Sequence, residues 1–380
     1  MLRQIARLGR SIPFAGPGAL AIAVYSDEQN QPIRAEQAGY EGVACVDDAA
    51  RALELYCDLW EATAAPWARR WCEGLLDFLL AMQDGDGRWT NFILDWDGSL
   101  NHEGRTSVAG GGFWQARALV ALARAAQILD DSRIDDAMER GLTHVLEAEQ
   151  VPSDVRALHI RTALTMLAGG DDRRLSSLVR TWSGEVAGCR EGDVLMNSPA
   201  EHGQPHLWGH IQEGVLADAG IWLGRPDLVA IASRSADLVF REVVIAGFDL
   251  PRTQPYDVAS AVYGLSRVAA VTGTPTYASL AAMARSWFSG RNGAHQPVYD
   301  RRAGRVGDGV EEGRVSRNSG AEANVVGAQA LFEDAAKLAR RLSAEQALPT
   351  PPGGRRPPAR GSSDPEPGHA PARRAQPTHH

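Results

Sequence analysis

The chain has 380 residues, of which 44% are hydrophobic, and its formal net charge is −8. This length and composition allow a sizeable core, built either as one large domain of repeated units or as two ordinary domains. Binding to nucleic acid requires a clustered basic surface, so the acidic balance argues against a nucleic-acid partner. No apolar stretch reaches the roughly 18 residues of a membrane-spanning helix, and we expect no membrane span.

Residues 1–42 are expected to form an N-terminal segment that leads into the main domain. Their apolar run, residues 19–24, is short and interrupted by Gly and Pro, which is not typical of a targeting segment. The four cysteines form no close C-x-x-C pair, so neither a zinc knuckle nor a disulfide framework is indicated. These observations favour a cytoplasmic protein.

Apolar residues recur at helical spacing in eleven segments, with Gly-, Pro- and Asp-rich turns between them. A short strand is indicated only near 89–94. Short and long connections alternate, as in stacked helical hairpins, and without a strict sequence repeat a closed barrel fits better than an open solenoid. The predicted fold is an all-α barrel of the (α/α)6 type over residues 43–348. The predicted helices are 49–60, 67–82, 112–129, 134–149, 154–167, 175–187, 211–223, 226–244, 257–272, 275–289 and 321–341.

Residues 349–380 are rich in Pro, Gly, Arg and Ser and contain almost no apolar side chains. Such a segment cannot bury enough surface to offset the entropy of ordering. We predict a disordered tail.

Two adjacent carboxylates, Asp47 and Asp48, begin the first predicted helix, and Arg51 follows one turn later. Carboxylates at this position can simply cap the helix, because free backbone N–H groups and the helix dipole favour negative charge there. Alternatively, one of them faces the mouth of the barrel as an acid, a base or an acceptor for sugar hydroxyls, with Arg51 as its partner. The sequence leaves both interpretations open.

The long connection after the second predicted helix alternates aromatic and polar residues. Trp faces stack on sugar rings, and Asn and Asp take hydrogen bonds from hydroxyls, so this loop is suited to a glycan. The alternative is a loop whose Trp residues plug the barrel. The candidate residues are Trp89, Asn91, Asp95, Trp96, Asp97, His102 and Glu103.

Three histidines, His202, His206 and His210, would share one helix face at a spacing that could bind zinc. Pro205 and two glycines interrupt such a helix, so we predict no metal. His206 and His210 remain candidates for general acid, general base or hydroxyl donor.

The last long connection carries Asn292, Asp300, Asp308 and Asn318, and Glu322 then begins the final predicted helix. Glu322 could satisfy free backbone donors in the first turn. It could equally complete the rim of the barrel opposite Asp47 and Asp48.

Several of these motifs, in order between residues 43 and 332, resemble the α/α-toroid module that accompanies bacterial group 1 glycosyltransferases, one of the six-hairpin glycosidase-like proteins. Val-Asp-Asp-Ala-Ala-Arg-Ala-Leu (46–53) matches that family's Thr-Asp-Asp-Asn-Ala-Arg-Ala-Leu, and Gly-Arg-Trp-Thr-Asn-Phe (87–92) matches its Gly-Arg-Phe-x-Asn-Phe. The later matches are Gln-Pro-Tyr-Asp (254–257), Trp-Phe-Ser-Gly-Arg-Asn (287–292), Val-Tyr-Asp (298–300) and Asn-Ser-Gly-Ala-Glu (318–322).

The resemblance implies a barrel whose loops form a sugar-binding pocket, with a glycosyltransferase as a partner. Ala49 stands where the family has Asn, and Glu-Gly-Arg-Thr (103–106) replaces its Gly-Ser-Glu-Asp, changes that could alter the ligand or abolish turnover. A local likeness of residues 205–213 to the histidine-rich segment of N-acylglucosamine 2-epimerases implies proton transfer by His206 and His210.

From these residues we predict a glycoside hydrolase-like enzyme that acts on an oligosaccharide without a cofactor. Asp48 or Asp47 would act with Glu322 or Asp97 as a carboxylate pair, while Asp257 and Asn292 join the residues that hold the sugar. The alternatives are a sugar epimerase using His206 and His210, and a non-catalytic glycan-binding module associated with a glycosyltransferase.

Overall fold

The structure, a computed structural model, describes residues 1–29, 31–33, 41–148 and 150–344. The predicted tail, 349–380, lies outside the described residues, as does part of the predicted N-terminal segment. Within the described residues no helix is both long and apolar enough to cross a bilayer.

Helices make up most of the described chain. The first, Leu2–Leu8, was not predicted, and the bounds of the others differ by a few residues from those of the predicted segments. The helices are α1 (Leu2–Leu8), α2 (Val46–Thr63), α3 (Pro66–Ala81), α4 (Gly112–Ala126), α5 (Arg133–Glu147), α6 (Ser153–Leu167), α7 (Arg173–Gly188), α8 (Gln212–Leu223), α9 (Pro226–Ile245), α10 (Pro255–Thr272), α11 (Pro275–Arg285), α12 (Ala321–Ala330) and α13 (Phe332–Ala344).

The helices from α2 onward form two concentric rings. Helices α2, α4, α6, α8, α10 and α12 contact each other in that order, and α12 returns to α2, which closes the inner ring. Each inner helix packs against the helix that follows it, so α3, α5, α7, α9, α11 and α13 form the outer ring. Six helical hairpins therefore build an (α/α)6 barrel, and the predicted fold is confirmed.

Local sequence explains where many of these helices begin and end. Proline occupies the first position of α3, α9, α10 and α11, where its missing N–H has no intrahelical partner to lose. Inner helices such as α8 and α12 are buried on nearly all sides and rich in Ala and Gly, which lets neighbouring helices approach closely. The outer helices α5 and α13 bury one stripe only, as surface helices do.

The predicted single helix 321–341 is wrong, because the chain forms two helices that separate at Leu331. Leu331 leaves helical geometry, with φ −106° and ψ 39°. Arg285 donates a hydrogen bond of 3.0 Å to the carbonyl of Ala330, the last residue of α12. This tertiary contact satisfies a helix-end carbonyl, and no Gly or Pro marks the turn in the sequence.

Short paired strands stabilise the connections between helices. The strands are β1 (Gly9–Ser11), β2 (Leu20–Ile22), β3 (Ala44–Cys45), β4 (Phe92–Ile93), β5 (Arg190–Glu191), β6 (Val194–Leu195), β7 (Arg252–Thr253), β8 (Tyr299–Asp300), β9 (Arg305–Val306), β10 (Val310–Glu311) and β11 (Arg314–Val315). They form four antiparallel pairs, β1–β2, β3–β4, β5–β6 and β8–β9, and a three-stranded sheet in the order β11–β10–β7. The strand predicted near 89–94 is confirmed at β4, whose pairing with β3 holds the start of α2 beside the loop that follows residue 89.

Candidate active site at the mouth of the barrel

The mouth of the barrel, where the inner helices have their N-termini, contains a cavity of about 790 Å³. This volume suits a small-molecule ligand. The residues named in the sequence analysis that line it are Asp47, Asp48, Arg51, Asn91, Asp308, Asn318 and Glu322.

The first turn of α2 places the adjacent carboxylates in this cavity. The backbone N–H of Asp48 bonds to the sulfur of Cys45, which occupies the N-cap, at 3.4 Å. The backbone N–H of Asp47 instead donates to the side-chain oxygen of Asn91 at 3.1 Å. Because other residues satisfy these helix-end donors, the two carboxylates are not used as caps and are available to the cavity.

Glu322 lies in the first turn of α12, which is the neighbour of α2 in the inner ring and does not face it across the barrel as predicted. The first N–H of this helix, that of Ala321, donates to the carbonyl of Val24 at 2.9 Å. The preceding Gly320 is required here, because a Cβ at that position would lie 2.6 Å from the carbonyl oxygen of Val24. The Glu322 side chain is 34% exposed, whereas that of Asp48 is only 3% exposed.

Arg51 links the carboxylates. Its Nη2 lies 2.8 Å from Asp48 Oδ1, 3.0 Å from Glu322 Oε1 and 3.5 Å from Asp47 Oδ2. Two oxygens that contact one nitrogen can be no further apart than the two distances laid end to end, so Asp48 Oδ1 and Glu322 Oε1 are at most about 5.8 Å apart. This upper limit lies below the roughly 6.5–9.5 Å of inverting glycosidases and is compatible with the roughly 5–5.5 Å of retaining ones.

The two adjacent carboxylates differ in their proton affinity. Burial raises the pKa of Asp48 to about 6, with Arg51 opposing the shift and Glu322 and Asp47 adding to it. For Asp47, burial acts in the same direction, but Arg117 and Arg51 outweigh it and lower the pKa. Two adjacent carboxylates are therefore held in opposite protonation tendencies, an arrangement typical of acid–base sites.

Tyr256 lines the cavity and Arg117 contacts two of its residues, although neither was among the candidates predicted from sequence. Arg117, on α4, bonds both oxygens of Asp47 and the hydroxyl of Tyr256. Asp308 lines the cavity and accepts a hydrogen bond of 2.6 Å from the N–H of Gly320. Burial raises the pKa of Asp308 to about 6.

Aromatic rings form one wall of the cavity. Trp208 packs edge-on against Phe113, with ring centres 4.7 Å apart, and against Tyr256, at 5.5 Å. The guanidinium of Arg117 lies 4.7 Å from the centre of the Phe113 ring and 5.3 Å from that of Tyr256. Rings beside hydrogen-bonding groups suit a sugar, which has both apolar faces and hydroxyls.

The loop after residue 89 contributes less than expected. Trp89 is fully buried and donates to the carbonyl of Leu79 at 2.8 Å. It therefore packs in the core and does not face a ligand, which agrees with the alternative that Trp residues of this loop fill the barrel. Asp97 is exposed and accepts hydrogen bonds from the backbone and hydroxyl of Ser99. The structure does not bring Asp97 to the cavity, and the same applies to Asp95, Trp96, His102 and Glu103.

The two histidines are also separated from the cavity. Both ring nitrogens of the fully buried His210 have partners, Asn197 at 2.7 Å and Glu213 at 2.9 Å. His206 is exposed, and its Nδ1 lies 2.9 Å from the carbonyl oxygen of Trp208. Among the described residues that line the cavity there is no histidine, so the epimerase arrangement predicted from His206 and His210 is not assembled.

Three further candidates stabilise local backbone. Asp257 forms a capping box with Gln254 at the start of α10. Asn292 is 4% exposed and bonds the backbone of its own loop, and Asp300 accepts from the backbone of Arg302 and Ala303 in a turn. None of the three lines the cavity.

Residues 202–210 are not helical, so His202, His206 and His210 do not share the helix face that zinc binding would require. Within the described part of the chain, no group of three or more His, Cys, Asp and Glu side chains could hold a metal ion.

Solved structures with this architecture are numerous. A sugar epimerase from a ruminal bacterium aligns with a TM-score of 0.65 over 90% of this chain and 95% of its own, at 9% identity. These likenesses establish the fold. A D-mannose isomerase (TM-score 0.65, 10% identity, 87% of this chain and 96% of its own) and a family 76 glycoside hydrolase from a bovine Bacteroides thetaiotaomicron strain (0.63, 9%, 91% and 76%) share it. No family model and no curated protein matches the sequence.

Proposed function

We propose that this protein hydrolyses a glycosidic bond with Asp48 and Glu322 as its catalytic carboxylates. The observation that carries the proposal is that both contact Nη2 of Arg51, at 2.8 and 3.0 Å, in the cavity at the barrel mouth. The structural neighbours, named as a sugar epimerase, a D-mannose isomerase and a glycoside hydrolase, support a carbohydrate as the ligand.

The pKa values suggest how the roles divide. With a pKa raised to about 6 by burial, Asp48 holds its proton in mildly acidic solution and can donate it to the leaving oxygen. Glu322 is the more exposed of the two and can attack the anomeric carbon to form a glycosyl ester. Water then cleaves the ester, and the ionised Asp48 accepts the proton of that water. The short separation of the two carboxylates favours this retaining route over inversion.

The surrounding groups hold this pair in place. Arg51 offsets the repulsion of the carboxylates, and Arg117 fixes Asp47 beside them. Trp208 and Tyr256 provide ring faces for sugar stacking, and Asn318 and Asp308 provide hydrogen-bonding groups on the rim. Because Asp308 has a pKa of about 6, also raised by burial, it is a second acid that can assist Asp48.

The fold alone would equally suit an epimerase or a glycan-binding module associated with a glycosyltransferase. The cavity favours hydrolysis because carboxylates line it, whereas His210 is fully buried and has both nitrogens bonded.

The test is a panel of oligosaccharides incubated with the purified protein, with reducing-end release and aldose interconversion both followed. Wild-type protein should release reducing ends, and Asp48→Asn and Glu322→Gln should each lower the rate by roughly 100-fold or more. Asp97→Asn, an exposed carboxylate outside the cavity, is the matched control and should keep full activity. Aldose interconversion without release, or sugar binding without any turnover, would overturn the proposal in favour of one of the two alternatives.

A further inference from the structure

A second cavity, of about 310 Å³, lies inside the barrel beneath the first. Arg51 and Tyr256 line both cavities and separate them. Below these residues, the walls come from later turns of the inner helices, including the apolar side chains of Leu158, Val262 and Val326. We call this the lower cavity. It is too small for an oligosaccharide but large enough for a small organic molecule.

The arginines of the lower cavity differ in their pairing. Arg161 pairs with Glu54, and Arg267 pairs with Asp218 at 2.6 Å. Arg285 has no carboxylate partner within the described residues: it donates to the carbonyl of Ala330 at 3.0 Å and to the hydroxyl of Ser266 at 2.9 Å. The charge of Arg285 is therefore not neutralised locally.

Buried hydrogen-bonding groups at the boundary between the cavities also lack partners. Nε and Nη1 of Arg51 are buried and make no hydrogen bond, because the contacts to the carboxylates all use Nη2. The hydroxyl of Ser260 is buried without a partner as well. Arg51 is 7% exposed and Ser260 is 2% exposed, and leaving such groups unsatisfied carries a substantial free-energy cost.

These observations share one chemical requirement. Arg51 Nε and Nη1 are donors only, a serine hydroxyl can donate, and the unneutralised charge at Arg285 is positive. An oxyanion would accept from the unpartnered donors, and a short aliphatic body would contact the apolar wall. We propose that the lower cavity is a binding site for a small organic anion, such as a short-chain carboxylate or sulfonate, whose oxygens accept from Arg51 and Ser260. Arg285, which is bonded near the C-terminal ends of α10 and α12, attracts the anion through its charge and does not contact it.

The site is coupled to the carboxylates above it because Arg51 serves both cavities. An anion below must share the positive charge of Arg51 with Asp47, Asp48 and Glu322. Removing one of those negative charges should therefore strengthen anion binding, a consequence of energetic coupling between two sites. This inference does not depend on the proposed hydrolysis.

The probe is propane-1-sulfonate, which stays charged across the working pH range, and propane-1-sulfonamide is its uncharged counterpart. Binding to the full chain is measured by calorimetry at pH 7.5 and constant ionic strength. We expect the sulfonate to bind at least roughly tenfold more tightly than the sulfonamide, since charge-assisted hydrogen bonds are the stronger ones. Equal affinity for the two would overturn the proposal without any variant.

Variants then locate the site. Ser260→Ala should weaken sulfonate binding about fivefold and Arg285→Gln about two- to threefold, whereas Asp48→Asn should strengthen it roughly fivefold. Arg241→Gln, on outer helix α9 and paired with Asp237, is the matched control and should change nothing. An affinity for the sulfonate that is the same in wild type, Ser260→Ala, Arg285→Gln and Asp48→Asn would overturn the proposal. Because Asp48→Asn should raise the affinity while the other two lower it, the set separates an effect on the site from general destabilisation.

Discussion

The pKa shifts of Asp47 and Asp48 in opposite directions predict how the free energy of unfolding depends on pH. The pKa of Asp48 rises from 3.8 to about 6, chiefly through burial, so the folded state binds this proton more tightly than the unfolded state. The stability that this proton contributes is complete below the unfolded pKa and is lost as pH rises through about 6. At roughly 1.4 kcal/mol per unit, the loss amounts to about 3 kcal/mol.

The perturbation is Asp48→Asn, which keeps the shape of the side chain and removes its titration. The free energy of unfolding of the variant minus that of wild type should therefore increase by about 3 kcal/mol as the pH rises from about 4 to 7. The assay is urea unfolding at several pH values in this range. Groups that titrate equally in both proteins cancel in the difference.

Asp47→Asn is the control, with the opposite sign. Arg117 and Arg51 outweigh burial and lower the pKa of Asp47, so its charged form stabilises the fold at neutral pH and this contribution is lost as the pH falls. Asp47→Asn should therefore be less stable than wild type at pH 7, with the deficit shrinking in acid. A difference between wild type and Asp48→Asn that does not change with pH, or that follows the Asp47→Asn pattern, would refute the reasoning.

Three further predictions concern activity and folding. If Asp48 is the acid, kcat/KM should fall on the basic side with an apparent pKa of about 6, as burial sets it, and a profile that is flat to pH 8 would argue against this role. Trp208→Ala should raise KM by about three- to tenfold through lost stacking, with little change in kcat, as measured by steady-state kinetics; an unchanged KM would remove Trp208 from the sugar site. Gly87→Ala should lower the free energy of unfolding, measured in urea, by about 1–3 kcal/mol. Gly87 has φ +88°, and a Cβ there would lie 2.3 Å from the carbonyl oxygen of Arg140. Stability equal to wild type would contradict this.

The barrel could be predicted because its signals are local. Apolar spacing identified the helices, and alternating connections indicated hairpins. The break at Leu331 could not be predicted, because it depends on a hydrogen bond from Arg285 to the carbonyl of Ala330 and on no turn residue.

The site residues could be predicted only where a carboxylate stands at the start of a predicted helix. Asp47, Asp48 and Glu322 lie at helix starts where backbone N–H groups donate to other residues. Trp89 and Asn292 had the same polar or aromatic character in the sequence, yet their hydrogen bonds go to nearby backbone. Which atoms these side chains bond is a tertiary property.

Arg117 was missed although the sequence carries a signal for it. It follows Ala116 in α4, within a run of mainly apolar residues that the structure buries. A charge in such a run needs a buried partner, and here that partner is Asp47. Tyr256 had no comparable signal, because its neighbour Asp257 appeared the more reactive group.

The measurement that tests the catalytic pair most directly is the anomeric configuration of the first product, followed by proton NMR on an oligosaccharide that the wild-type protein cleaves, with Glu322→Gln beside it. Two carboxylate oxygens held on one nitrogen of Arg51 predict a product with retained configuration, and almost none from the variant. An inverted product, or full activity in Glu322→Gln, would contradict the assignment of Asp48 and Glu322 as the pair that breaks the bond.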